Sequence, residues 1–211
     1  NINQTKTKIM LFNNSKQNDF LPELELNGVS LELVEQMKLL GVVITSDLKW
    51  NENTNQVIKK ASKKVWILRR LKNLGASSST LLDIYMKHVR SVVEFSAVVW
   101  HAGLTVANTQ QLERVQKAAF AIILGKSYNS YQSACSILSM TTLTKRREKL
   151  VLNFAVKATK HPEHKEWFVP YVQTHNTRTN KPSFVPPQAR TQRLFNSAIP
   201  QMIQLMNTNH R

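Results

Sequence analysis

The stretch from Gln56 to Gly75, QVIKKASKKVWILRRLKNLG, leaves the chain few ways to fold. Val57, Ala61, Val65, Leu68 and Leu71 recur at helical spacing and share one arc at 100° per residue, with Ile58 near its edge. Lys59, Lys60, Lys63 and Arg70 fall on the opposite side, with Lys64 and Arg69 flanking them and Trp66 among the cations. Between Lys59 and Lys72 there are seven basic residues and no acidic one. A merely solvated face usually interleaves Glu with Lys, because i,i+4 pairs add roughly 0.2–0.5 kcal/mol each. The plain reading is a solvated basic face; the missing acid favours a helix that buries one side and lays the other along a polyanion.

Charge is unevenly spread over the 211 residues, whose net charge is +16. Residues 1–50 hold five Lys/Arg against six Asp/Glu; residues 51–150 hold 16 against five, and residues 151–211 hold eight against two. The first quarter is therefore near neutral and the rest strongly basic. Nucleic acid is the expected partner of that basic part, with an anionic membrane surface as the lesser alternative. No apolar run approaches the ~18–20 residues of a membrane span. A single cysteine, Cys135, excludes an intramolecular disulfide and any zinc site needing two thiolates, and its apolar context marks it as a small core residue. The opening NINQTKTK has neither an initiator Met nor a signal-peptide core, and reads as the interior of a longer frame.

The pattern is β-like up to about residue 50. Lys6 to Phe12 is short and β-prone. Leu24 to Leu33 alternates apolar and polar residues around Asn27-Gly28, the strongest short hairpin signal. Its faces divide into apolar and acidic, so a half-buried hairpin is expected. Met37 to Ile44 reads as a further strand with a bulge or close approach at Gly41. Helices follow: about Asn53 to Leu74, stopped by Gly75; Leu81 to about Phe95 or beyond; Val106 to Leu124; Tyr128 to Met140; and Leu143 to Lys160. Lys165 to Pro187 is polar, holds four of the seven prolines and reads as loop. A last helix is expected from Gln192 to Met206, with Pro200 as a possible kink. The fold class is α+β, mainly α: a small N-terminal antiparallel β unit, arranged as a hairpin meander, followed by a helical bundle and a helical C-terminal region.

Catalytic chemistry is not written in these residues. There is no nucleophile elbow, P-loop or dinucleotide fingerprint. His161 and His164 are i,i+3, but the sequence shows no further ligand beside them, so a structural or exposed role is expected. Two-metal chemistry needs clustered carboxylates, whereas Glu23, Glu25 and Glu32 are already explained as solvent-facing strand positions. Glu94, within VRSVVEFSAVVW, is expected to pair with Arg90 at i,i+4. Arg146 and Arg147 open the fifth helix against its dipole, which leaves a partner anion and simple exposure both open.

The order of segments adds a further layer. NINQTKTKIMLF, LNGVSLELVEQMKLLGVVITSDLKW, the basic helix, LLDIYMKHVRSVVEFSAVVW, QLERVQKAAFAIILG, LTKRREKLVLNFAVKATKHP and VPPQARTQRLFNSAIPQMIQLMN follow one another. Over nearly the whole chain this series resembles the C-terminal part of non-LTR (LINE-type) retrotransposon reverse transcriptases. The resemblance lies in the order of the pieces rather than in any one of them. It implies that residues 1–50 are the end of the palm with the primer grip, 51–125 a thumb-like helical bundle, 126–165 post-thumb helices, and 166–211 a loop-rich tail with a final helix. Asn3, Lys6 and Thr7 match the motif called D, which makes Lys6 at most an auxiliary catalytic group. Lys38, Leu39, Leu40 and Gly41 match the primer-grip hairpin.

The family's paired catalytic aspartates are absent, as are the fingers and most of the palm. The resemblance therefore implies a non-catalytic, nucleic-acid-binding part of an RNA-directed DNA polymerase. Lys59, Lys60, Lys63, Lys64, Arg69 and Arg70 would hold an RNA–DNA or DNA duplex or the element RNA, in an intracellular setting: the nucleus or a cytoplasmic ribonucleoprotein. Trp66 is expected to pack against a neighbour, with stacking on a sugar or base as the alternative. No cofactor is implied for this chain, and Mg²⁺ only for a full polymerase with palm and fingers upstream. The alternatives are the tail of an intact active polymerase and a degenerate or repurposed scaffold fragment. The last would leave an edge strand and an apolar face uncovered in Asn1 to Trp50.

Overall fold

The computed structural model describes residues 3, 6–12, 24–172 and 183–209. Glu23 and residues 173–182 of the proline-rich stretch lie outside them. By its contacts the chain divides into Asn1–Gln56 and Val57–Arg211, the division falling inside the basic helix.

The N-terminal unit holds short strands: Lys8–Ile9 (β1), Glu25–Leu26 (β2), Val29–Ser30 (β3), Glu32–Leu33 (β4), Gln36–Leu39 (β5) and Val42–Thr45 (β6). They form three separate pairs: β2 with β3 and β5 with β6 antiparallel, and β1 with β4 parallel. The parallel pair departs from the all-antiparallel meander expected. It is held by Lys8 Nζ on Glu32 at 2.7 Å and by Val34 N donating to Ile9 O at 2.8 Å. Asn27 (φ 52°) and Gly28 (φ 77°) make the β2–β3 turn with two left-handed residues, as their sequence demands. The apolar face of that stretch is only partly covered: Leu26 and Leu31 are half-buried, while Leu24, Val29 and Leu33 are exposed.

The segment read as one strand with a bulge at Gly41 is instead a second hairpin, turning at Leu40 (φ 47°) and Gly41 (φ 90°). Its inner strand is secured at Val43, which is buried and whose N–H donates to Asn53 Oδ1 at 3.1 Å. Below it, Asp47 closes a turn by accepting from Thr45 Oγ1 at 2.7 Å and Lys49 N at 3.1 Å. Those bonds hold its carboxyl down at about 2.

The C-terminal unit is helical, as the fold class required. Helix α1 spans Asn51–Asn73 and buries Val57, Ala61, Val65 and Leu68 of the stripe read from sequence, with its last member, Leu71, half-buried. It closes in a two-bond C-terminal cap: Ala76 N donates to Leu71 O and Gly75 N to Lys72 O, both at 3.0 Å, with Gly75 at φ 87°. That left-handed position carries little cost only for glycine.

The second expected helix proves to be composite. It starts at Ser78–Ile84 (α2) under a Ser77 cap, widens to a π-helical segment at Tyr85–Arg90, and ends as Ser91–Glu94 (α3). Ser96 at φ 51° breaks the chain before Ala97–Trp100 (α4), and Trp100 Nε1 donates to the freed Phe95 carbonyl at 3.0 Å.

Val106–Leu124 (α5) has the predicted bounds. Tyr131–Ile137 (α6) is shorter than expected, because Ser130 caps it late and the chain turns out at Leu138. Leu143–Ala158 (α7) packs on α4 and α5. The last helix is two: Gln192–Phe195 (α8) and Ala198–Asn209 (α9). The break precedes Pro200, which sits in the first turn of α9, where a missing N–H costs nothing.

Val151, Ala155 and Ala158 of α7 and Met202, Ile203 and Met206 of α9 share one core with Phe168. The described ends of the proline-rich stretch are more than plain loop. Pro170 bridges Phe184, and the Asn207 side chain accepts from Ser183 N and Phe184 N at 2.8 and 3.0 Å. Cys135 is buried, as its context predicted, and that burial pushes its thiol pKa up.

Candidate nucleic-acid interface

Helix α1 presents Lys59, Lys60, Lys63, Arg69 and Arg70 to solvent, with Lys64 half-buried. Among the described residues no carboxylate lies within ion-pairing distance of any of them. Three lysine pairs, Lys59/Lys63, Lys60/Lys63 and Lys60/Lys64, stand at i,i+3 or i,i+4, each costing about 0.2–0.5 kcal/mol. Burying the Val65 and Leu68 side chains returns roughly 1.5–3 kcal/mol apiece. The helix therefore forms without a ligand, and the cationic row is tolerated by the fold rather than required by it.

Trp66 does not pack as expected. It is 59% exposed, with the Arg70 guanidinium 5.6 Å from its ring centroid. An aromatic ring open on one face beside guanidinium and ammonium groups suits stacking on a sugar or base. Lys72, at the basic end of the helix, is taken up internally, donating to Ile123 O at 3.2 Å.

The other residues singled out in the sequence lie in the N-terminal unit. Lys38, Leu39, Leu40 and Gly41 form the exposed tip of the β5–β6 hairpin, with Leu40 88% exposed and left-handed. A large apolar side chain in that conformation costs on the order of 1–2 kcal/mol. Asn3, Lys6 and Thr7 come together in one turn: Lys6 N donates to Asn3 O at 3.2 Å and Thr7 Oγ1 to Asn3 O at 2.8 Å.

A polar network missed in the sequence organises the C-terminal unit. Gln116 is buried on α5; its Oε1 accepts from Tyr85 OH, and its Nε2 donates to Tyr131 OH at 2.9 Å and Thr141 O at 2.8 Å. Glu113, one turn earlier, accepts from Tyr131 OH, from Leu143 N at 3.3 Å, and from Thr144 N and Oγ1 at 2.7 and 2.8 Å. Thr142 Oγ1 takes Lys145 N at 3.3 Å, and Thr142 O takes Arg146 N. The start of α7 is thus saturated from within. Burial pushes both tyrosine hydroxyls up, well beyond the usual phenol range, so they remain donors.

The two arginines at the start of α7 part company. Arg146 pairs with Glu94 (3.0 Å), which also meets Arg90 at 3.4 Å as expected from their spacing. Arg147 is wholly buried, correcting both the partner-anion and the exposed readings. Its guanidinium lies 5.9 Å from the Trp100 ring centroid, and its Nε donates to His101 Nδ1 at 3.4 Å. Burial first, and the Arg147 charge second, hold His101 down at about 4.

His101 binds no proton in the folded protein where the unfolded chain already does, so stability is complete above pH 6.5 and falls as pH drops toward 4. The shift corresponds to roughly 3 kcal/mol. Urea unfolding at pH 7 and pH 4.5 should show that loss in the parent and a much smaller one in His101→Asn; equal losses would contradict the burial argument.

His161 and His164 gain a neighbour the sequence reading did not supply. Glu163 brings a third potential ligand atom, all three lying within 4.8 Å of one another. The His164 ring stacks on His161 (4.9 Å) and on Trp167 (4.4 Å), while its buried Nδ1 has no hydrogen-bond partner among the described residues. Three donors on a largely exposed turn fall short of a closed four-ligand shell.

No helix among the described residues is long and apolar enough to cross a membrane. No known family profile, curated protein or solved structure matches the chain.

Proposed function

We propose that the protein is a non-catalytic nucleic-acid-binding module, which grips the backbone of an RNA–DNA or DNA duplex with the outer face of α1. The observation that carries this reading is the row Lys59, Lys60, Lys63, Arg69 and Arg70: exposed, free of described carboxylate partners, and set on a helix anchored by its opposite face. Backbone contacts of this kind carry no base information, so little sequence preference is expected. The segment order makes the thumb of a non-LTR reverse transcriptase the kind of module proposed. On that reading the exposed Lys38–Gly41 tip is a primer-grip contact, and catalysis belongs to a palm outside this chain.

Fluorescence anisotropy of a labelled RNA–DNA duplex titrated with the full chain tests the binding. Saturable, salt-sensitive binding indifferent to sequence is expected. Template, primer, dNTPs and Mg²⁺ mixed with the chain should give no extension; extension would overturn the non-catalytic assignment.

A further inference from the structure

A cavity of about 220 Å³ opens beside the first turns of α7, lined by Arg90, Lys145, Arg146, Lys149, Ser139 and Thr141. Four cations face it. Glu94 is the carboxylate that answers two of them, Arg90 and Arg146. Lys145 and Lys149 stand at i,i+4 on one helix, a like-charge pair, and among the described residues neither has an ion-pair partner. Lys145 lies in the first turn of α7, at the positive end of its dipole, which adds to its cost.

Internal capping does not explain them, since Glu113 and Thr142 already satisfy the amides there. A ligand would therefore be held by side chains and not by the helix terminus. The cavity exceeds several water volumes of ~30 Å³, room for a tetrahedral anion. Lys145 and Lys149, with Arg90 and Arg146 beside them and Ser139 and Thr141 on the same lining, supply donors of the kind that phosphate oxygens take.

We propose that this cavity is a phosphate-group site, separate from the face of α1. The source of the phosphate, a strand or a free anion, rests on the nucleic-acid reading above; the site itself does not.

Titrating the full chain with inorganic phosphate, followed by amide NMR, should move the Thr141, Lys145 and Lys149 resonances saturably. K145A/K149A, both exposed positions, should weaken that binding at least about tenfold. No shift, or a shift of equal affinity in the double variant, overturns the proposal. Duplex titrations then assign the source. A salt slope smaller by about one in K145A/K149A points to a strand phosphate; an unchanged slope, with inorganic phosphate binding weakened in the same variant, points to a free anion. Lys59, Lys60, Lys63 and Arg70→Ala should leave the phosphate titration untouched, so failure of the α1 reading is seen separately.

Discussion

Glu113→Ala is expected to destabilise the protein by about 3 kcal/mol, lowering the melting temperature by roughly 6–12 °C for a chain of this size. The carboxylate accepts from Tyr131 OH, Leu143 N, Thr144 N and Thr144 Oγ1, so it ties α5 to α6 and caps α7. Losing a helix cap costs about 0.5–2 kcal/mol, and leaving part-buried donors without an acceptor adds about 1–3 kcal/mol. The alanine also leaves Tyr131, already bonded to the buried Gln116, without its acceptor. Glu113→Gln keeps one carbonyl oxygen and should lose about half as much. Thermal unfolding of the three proteins checks this; an alanine variant within 1 kcal/mol of the parent would show that the network does not organise the bundle.

The second large effect falls on binding. Lys59, Lys60, Lys63 and Arg70→Ala should reduce duplex affinity at about 0.1 M salt by roughly 100-fold or more, because four phosphate contacts and their released counterions disappear together. Stability should change little, since all four side chains are exposed and three like-charge pairs are removed. Trp66→Ala should weaken binding by a further ~1–3 kcal/mol if its open face stacks on a base. That separates it from the cations, whose removal lowers the salt slope while the tryptophan's does not.

Much of the fold was legible in the sequence wherever its signals are local. The α1 stripe, the Gly75 stop, the bounds of α5 and the turn at Asn27-Gly28 each follow from spacing or from a residue's own backbone preference. What stayed hidden depends on partners far along the chain. Glu113 meets Leu143 and Thr144 some thirty residues on, and Arg147 is buried because Trp100 and His101 lie over it. From sequence, Arg146 and Arg147 are the same residue twice. The stretch from Leu81 to about Phe95 or beyond reads as one helix, and nothing in it announces the π segment at Tyr85–Arg90 or the left-handed Ser96.

The second hairpin is hidden from periodicity, since MKLLGVVI has the pattern of one strand, whereas the resemblance implied a hairpin there; Leu40 takes the left-handed turn position at a cost in strain. At the candidate interface, the composition of the cationic face was plain from the start. The exposure of Trp66 and the cavity at Lys145 and Lys149 depend on how distant segments pack, which no local pattern carries.

The most direct test of a phosphate-gripping α1 is the salt dependence of RNA–DNA duplex binding in the parent chain and in K59A/K60A/K63A/R70A. Log K against log salt should fall with a slope of at least about −3 to −4 in the parent, and that slope should shrink by about three to four in the variant. A parent slope near zero, or a slope and affinity untouched by the four substitutions, would contradict the account.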